Sequence, residues 1–140
     1  GVPWRWIKAI AWVESDLGRD ASVMRGIANP MDLENSVSAD KKSYGLMQTI
    51  PTTSQEVRPG TKPTDLNVPS ISVDVGARVL ARNMRIFPGN LEYIVRAYNG
   101  GPGFLNTVAG RRDTPAYWEK FQSKLSKVLE SQPGLEQEIG

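Results

Sequence analysis

Apolar residues recur along this chain at intervals of three and four, which is the spacing of amphipathic helices. The pattern predicts a first helix that opens at Pro3 and ends at Gly18. The most regular stripe runs from Pro69 to Phe87, and the Pro-Gly pair that follows ends it. The predicted buried face of this long helix comprises Val73, Gly76, Ala77, Leu80, Met84 and Phe87.

Two further helices are predicted in the second half of the chain. Asn90 is a suitable N-cap for a helix that reaches Tyr98, and the glycine-rich stretch at 100–103 ends it. The last helix begins at Pro115, because proline is well tolerated in a first helical turn. Its predicted buried face comprises Tyr117, Phe121, Leu125 and Val128.

Polar stretches separate these helices. Residues 19–43 are predicted to form a long loop with one short helical turn, and loops of this length inside a domain are often functional. Pro51 opens a short helix that ends near residues 59–60, and residues 60–68 are predicted to be a loop. Residues 44–50 have the composition of a short extended segment at most.

The chain has 140 residues, which is enough for one domain with a buried core. We therefore predict an all-α globular domain at residues 1–132 and a C-terminal tail at 133–140. No apolar run approaches the roughly 20 residues that a membrane-spanning helix needs. Because the chain starts without Met, we expect it to be a domain of a larger protein or complex.

Two residue types are missing from the sequence, which contains no His and no Cys. Ser-His-Asp triads, Cys-His pairs and zinc sites made of imidazole or thiolate are therefore excluded. An acid/base catalyst in this chain must be Asp, Glu, Lys or Tyr. The net charge of +2 is too small to indicate a nucleic-acid partner.

Glu14 is the carboxylate with the most unusual position in the pattern. It follows Ile7, Ile10 and Ala11 at helical spacing, so it lies on their apolar face. Partial burial disfavours the charged form of a carboxyl group, and we therefore predict a raised pKa and a role as general acid. The alternative is an ordinary surface carboxylate near a helix end.

Four short motifs add weight to the catalytic interpretation. They are Glu-Ser at 14–15, Gly-Leu-Met-Gln at 45–48, Ala-Tyr-Asn-Gly-Gly-Pro-Gly at 97–103 and Asp-Thr-Pro-Ala-Tyr at 113–117. In order and spacing they resemble the motifs of the soluble lytic transglycosylases, relatives of goose-type lysozyme, across residues 5–129. The match at 113–117 is looser than the others, because the family often has Glu in place of Asp113.

This resemblance implies a lysozyme-like fold with a groove for the GlcNAc-MurNAc strands of peptidoglycan. It also implies that Glu14 is the catalytic acid and that no metal or organic cofactor takes part. Met47 is expected to pack beside the sugar, and Gly45 to form a turn where backbone approaches the ligand. The full set of substrate-binding residues that it implies is Ser43, Tyr44, Gly45, Met47, Gln48, Tyr98, Asn99 and Tyr117.

Several of these residues have a purely structural alternative. Met47 is a common filler of cores, and Gln48 has the chemistry for a hydrogen bond within its own turn. Residues 98–101 would serve equally as a helix C-cap. Trp6 and Trp12 occur at helical spacing, which predicts that both lie in the core.

The reaction implied is that of a lytic transglycosylase, which cleaves the MurNAc-GlcNAc β-1,4 bond and leaves a 1,6-anhydroMurNAc end. In that mechanism Glu14 acts first as acid and then as base. The distance from Glu14 to Gly45 is 31 residues (45 − 14), which is longer than is common in the family. The inserted acids, any of which would be able to hold a catalytic water, are Asp16, Asp20, Asp32, Glu34 and Asp40.

Alternative functions therefore stay open at the level of the sequence. They are a goose-type lysozyme-like hydrolase, a non-catalytic peptidoglycan-binding or assembly module, and an enzyme that cleaves chitin. For the first two, as for a transglycosylase, the expected partner is the glycan strand of peptidoglycan. The expected location is the bacterial envelope or periplasm, the extracellular space, or a phage virion.

Overall fold

The computed structural model describes residues 1–24 and 43–131 and confirms the all-α prediction. The β structure of the described residues is one isolated antiparallel bridge between Tyr44 and Thr49. The helices are α1 (Trp4–Ser15), α2 (Ala21–Met24), α3 (Pro51–Val57), a 3-10 helix (Pro63–Asn67), α4 (Pro69–Ile86), α5 (Leu91–Gly100), α6 (Pro102–Leu105), α7 (Val108–Asp113) and α8 (Pro115–Ser131).

Two predicted boundaries need correction. Helix α1 ends at Ser15, three residues before Gly18, because Asp16 and Leu17 both have positive φ angles of 53° and 56°. The loop predicted for residues 60–68 is wrong, since the 3-10 helix occupies most of it. The side chain of Asp65 stabilises that helix by accepting a hydrogen bond of 2.8 Å from the backbone N–H of Lys62.

The core lies where two helix pairs meet. Helix α1 packs along α8, helix α4 packs along α5, and α5 also contacts α8. The side chains at the centre of this junction are completely buried, and each comes from a different element: Ile10, Met47, Leu80, Val95 and Phe121. This packing brings the C-terminal end of α1 close to the first turn of α8, where the candidate site begins.

The apolar stripe predicted for α4 is right only in part. Gly76 and Leu80 are buried as predicted, whereas Val73 and Met84 are only partly buried. Val75 and Val79 belong to a second, smaller core cluster with Leu66. Helix α4 therefore buries a broader face than its stripe indicates, because it packs against α3 and the 3-10 helix as well as α5.

Predictions for the other helix faces have mixed outcomes. Asn90 is confirmed as an N-cap, since its side chain accepts a hydrogen bond of 3.1 Å from the N–H of Tyr93. Trp6 packs against the core as predicted. The core prediction for Trp12 is wrong. Its partly exposed indole ring lies near three cations, with Lys124 at 5.4 Å, Lys127 at 5.8 Å and Arg19 at 5.9 Å.

Some predictions fall partly or wholly outside the described residues. Helix α2 confirms the short helical turn after residue 19. The rest of the insert, including Asp32, Glu34 and Asp40, lies outside the described part, as does the predicted tail. The domain boundary at residue 132 therefore stays a prediction. Within residues 1–24 and 43–131 we find no helix with the length and apolar character of a transmembrane segment.

Candidate active site

A cavity of about 290 Å³ brings together residues from distant parts of the sequence. It is bordered by the end of α1, by the turn at residues 43–49 (the site turn), and by helices α3, α4 and α5. The residues that line it are Glu14, Ser43, Gln48, Thr49, Ile50, Thr53, Val79, Arg82, Ala97, Tyr98, Asn99, Gly100 and Gly101. Five of the predicted site residues are among them: Glu14, Ser43, Gln48, Tyr98 and Asn99.

Glu14 lies on the last turn of α1 and is partly buried. The hydroxyl of Tyr117 donates a hydrogen bond of 2.8 Å to its Oε2 atom. Tyr117 is on the first turn of α8 and only 8% exposed, so the packing of α1 on α8 fixes the orientation of the carboxyl group. Tyr117 is not among the residues that line the cavity, so it contacts Glu14 from the protein interior and not from the cavity.

Two tyrosine hydroxyls lie near the Glu14 carboxylate. Burial is the main cause that raises the pKa of Tyr117 well above its ordinary value, and the negative charge of Glu14 adds to it. Burial and then the charge of Glu14 also raise the pKa of Tyr98 well above its ordinary value. Both phenols therefore remain protonated at neutral pH and act as hydrogen-bond donors, Tyr117 to Glu14 and Tyr98 to the carbonyl of Met47.

The site turn is tied to three different helices by hydrogen bonds. Ser15, at the end of α1, donates from Oγ to the carbonyl of Leu46 at 2.8 Å. Tyr98 of α5 donates from its hydroxyl to the carbonyl of Met47 at 2.7 Å. The N–H of Met47 donates to Oγ of Ser72 in α4 at 3.0 Å. The position of the turn relative to Glu14 is therefore set by side chains from the helices around it.

Ser15 is a positioning residue that the sequence interpretation did not single out by itself. It is completely buried, and its Oγ also accepts a hydrogen bond of 3.0 Å from the N–H of Gly18. The available sequence signal was its place directly after Glu14 in the Glu-Ser motif. The motif thus has two parts, one that lines the cavity and one that holds the site turn.

Two of the predicted substrate contacts have clear structural roles. Gly45 has a φ of 79°, and a Cβ there would lie 1.9 Å from the carbonyl oxygen of Leu66. The close approach that the structure shows at Gly45 is to the protein backbone, and an approach to a ligand there stays a prediction. The side chain of Met47 is 0% exposed and packs over Gly76, so it lies in the core and not beside the cavity.

The other residues of the site turn differ in their roles. Tyr44 pairs with Thr49 through its backbone and packs against the second core cluster, outside the cavity lining. Gln48 has a φ of 50°, and its amide nitrogen donates to the carbonyl of Gly45 at 2.8 Å. Because Gln48 also lines the cavity, it closes the turn and borders the site at once.

Arg82 is a cavity residue that the sequence pattern did not reveal. Its Nη1 lies 3.3 Å from a carboxylate oxygen of Glu56, which is a long contact to a side chain that is 68% exposed. In the sequence Arg82 is one of several arginines on α4, and polar positions on an amphipathic helix usually face solvent. Only the packing of α3 on α4 reveals that this arginine borders the cavity.

Glu14 is the single carboxylate among the described residues that line the cavity. Asp16 and Asp20 of the insert do not line it, and Asp16 forms an ion pair of 2.8 Å with Arg19. In the described part of the chain, no group of three or more acidic side chains has the arrangement of a metal site.

Comparison with known proteins identifies the family of the chain. The chain matches the family model described as the transglycosylase SLT domain over residues 1–121, and it belongs to that family. The resemblance found in the sequence motifs is thereby confirmed. The membership implies lytic transglycosylase activity on peptidoglycan as the general function of the domain. No solved structure matches the chain significantly.

Proposed function

We propose that this member of the transglycosylase SLT family cleaves the MurNAc-GlcNAc β-1,4 bond of peptidoglycan with Glu14 as general acid and then as base. The observation that carries the proposal is the partly buried Glu14 carboxyl group at the cavity, held by the buried Tyr117 hydroxyl at 2.8 Å. A carboxylic acid oriented in this way is the group that glycosidic cleavage requires.

In the first step, Glu14 transfers its proton to the glycosidic oxygen while the bond from that oxygen to C1 of MurNAc breaks. The acetamido oxygen of the same MurNAc attacks C1 and takes up the positive charge. Proton transfer of this kind contributes on the order of 10² to 10⁴ in rate. Asn99 and Gln48 border the same cavity and carry amide groups suited to hydroxyl and acetamido groups of the sugars.

In the second step, the Glu14 carboxylate accepts the proton of the C6 hydroxyl of MurNAc. The C6 oxygen then bonds to C1 and displaces the acetamido oxygen, which gives the 1,6-anhydro ring. Glu14 ends protonated, so the cycle closes without consuming water. While Glu14 is charged, the Tyr117 hydroxyl stabilises it by hydrogen bonding.

A transglycosylase is favoured over an inverting hydrolase because of the acidic groups around the cavity. An inverting hydrolase uses a second carboxylate roughly 6.5 to 9.5 Å from the first to activate water. Among the described residues that line the cavity, Glu14 is the single carboxylate. This observation supports a mechanism in which one carboxyl group does both proton transfers.

Product analysis tests the proposal directly. Sacculi digested by the domain should release muropeptides with 1,6-anhydro ends. In mass spectrometry these muropeptides are lighter by one water than the same muropeptides with reducing ends. Glu14→Gln should lower the rate by at least about 10³-fold and leave the fold intact. Glu119→Gln, which alters an exposed carboxylate on α8, is the matched control and should keep full activity.

Each alternative has its own result in this experiment. Reducing ends in place of anhydro ends would make the domain a goose-type lysozyme-like hydrolase. Binding to sacculi with no product from the wild-type domain would make it a non-catalytic module. Full activity of Glu14→Gln would remove Glu14 from the mechanism. As a transglycosylase, the domain would act at the bacterial envelope, as a wall enzyme or from a phage particle.

A further inference from the structure

Arg82 lines the cavity, and its guanidinium makes one hydrogen bond among the described residues, which is the contact with Glu56. Its side chain is 23% exposed and its guanidinium contacts Glu56 at 3.3 Å through Nη1. Its Nε atom is buried and has no hydrogen-bond partner among residues 1–24 and 43–131. Buried donors in folded proteins are almost always paired, so the described residues leave this guanidinium short of acceptors. Because Nε itself is buried, a ligand in the cavity would contact the exposed part of the guanidinium first.

The ion pair with Glu56 does not satisfy this guanidinium. Glu56 is 68% exposed, and a long contact between a cation and a solvated carboxylate is weak. A guanidinium has donors in a planar fork that matches the oxygens of a carboxylate or of a similar planar acyl group. The site therefore has the chemistry to accept an acyl oxygen of a ligand as a further partner.

The proposed substrate carries such a group on only one of its two sugars. MurNAc differs from GlcNAc by a lactyl ether on C3, whose carboxyl group is either free or joined to the stem peptide as an amide. Arg82 is the one guanidinium that lines the cavity within the described part of the chain, and Glu14 lines the same cavity. A MurNAc unit bound in this cavity would share it with both Glu14 and Arg82.

We propose that Arg82 binds the lactyl carboxyl group of MurNAc and thereby selects peptidoglycan over glycans that lack it, such as chitin. The inference rests on the function proposed above, because it needs a glycan strand in the cavity. A free lactyl carboxylate should bind more tightly than its amide, since a hydrogen bond to a charged acceptor is stronger than one to a neutral carbonyl.

The test measures binding by calorimetry in the Glu14→Gln background, where no turnover is expected. Three tetrasaccharides of equal length serve as probes: (GlcNAc-MurNAc)₂ with free lactyl carboxylates, the same compound with methylamidated lactyl groups, and chitotetraose. Adding Arg82→Gln should weaken binding of the free acid by about 10-fold or more and binding of the methylamide by less. Binding of chitotetraose should stay within about twofold, because it has no lactyl group to lose.

A matched control exists on the same helix. Arg78 lies one turn earlier, outside the cavity lining, with a side chain that is 52% exposed and paired with Asp74 at 3.0 Å. Arg78→Gln should leave the binding of all three probes unchanged. Arg82→Lys keeps the positive charge but loses the planar fork, so it should recover part of the binding of the free acid. If thermal unfolding shows that Arg82→Gln does not fold, Arg82→Lys is measured in its place. It should also weaken binding of the free acid more than binding of chitotetraose.

Two results would overturn the inference alone. One is equal weakening for chitotetraose and for the free acid, which would make Arg82 a general contact to sugar. The other is unchanged binding of the free acid in the Arg82 variants. Failure of the proposed function would look different, because the wild-type domain would then release no anhydro-muropeptides from sacculi, whether or not Glu14→Gln with an intact Arg82 binds the three glycans.

Discussion

The two sides of the cavity are built in different ways. The acid side consists of Glu14, Tyr98 and Tyr117, and its hydrogen bonds are short, at 2.8 Å from Tyr117 to Glu14 and 2.7 Å from Tyr98 to the site turn. The arginine side consists of Arg82 and Glu56, which are joined by one contact of 3.3 Å at the surface. One side is fixed by neutral phenol donors, of which Tyr117 is buried and Tyr98 partly buried, and the other depends on a solvated ion pair.

This difference matches the demands that each side would meet in catalysis. A proton donor must be oriented before the substrate binds, and buried donors with fixed geometry provide that orientation. A side chain that recognises a branched substituent gains from conformational freedom. The weak ion pair with the exposed Glu56 leaves Arg82 that freedom. Changes on the acid side should therefore have larger effects than changes on the arginine side.

The largest effect on stability should come from Gly45, whose close packing supports the acid side. A Cβ at this position would overlap the carbonyl of Leu66, and the φ of 79° is unfavourable for any other residue. We expect Gly45→Ala to lower the free energy of unfolding by about 3 kcal/mol and to reduce activity by displacing the site turn.

Gly60→Ala is the control for the Gly45 variant. Gly60 also has a positive φ, at 85°, but a Cβ there would meet no atom within 4 Å. This variant should lose only about 1 kcal/mol, so the difference between the two isolates the overlap with Leu66. Chemical denaturation measures both values, and equal losses would contradict the proposed role of close packing.

Tyr117→Phe should have the next largest effect, on catalysis more than on binding. It removes the hydrogen bond to Glu14, so kcat should fall about 10-fold while KM changes little. Tyr93→Phe removes a phenol outside the cavity lining and should keep the wild-type rate. A kcat that is unchanged in Tyr117→Phe would mean that this hydrogen bond does not orient the acid.

The same variant should alter stability at high pH. The pKa of Tyr117 is raised in the folded protein, so above pH 10 this residue loses its proton more readily in the unfolded chain. Its contribution to stability is therefore complete below pH 10 and is lost as the pH rises above it. The free energy of unfolding should fall less steeply above pH 10 in Tyr117→Phe than in the wild type, which denaturation at several pH values would measure.

The smallest effect should come from Glu56→Gln on the arginine side. Because Glu56 is 68% exposed, loss of its ion pair should change the free energy of unfolding by less than about 1 kcal/mol. Binding of the free-acid tetrasaccharide should improve by about twofold, since Arg82 loses a competing partner. A large loss of stability or of binding would show that the arginine side is as firmly held as the acid side.

The sequence by itself determined the long helices and which carboxylate lies at the cavity. Helical periodicity indicates which face of a segment is apolar, because that pattern is local to the chain. It therefore predicted the long helix that begins at Pro69 and the partial burial of Glu14. The motifs at 14–15, 45–48 and 97–103 were sufficient to predict the family.

Only the tertiary structure decided which side chains share the cavity. Periodicity does not reveal what a face packs against, and that choice depends on contacts between elements far apart in sequence. Packing of α1 on α8 put Tyr117 behind Glu14, and burial under α4 put Met47 in the core. Arg82 borders the cavity for the same reason, since α3 and α4 enclose a space that neither helix defines alone.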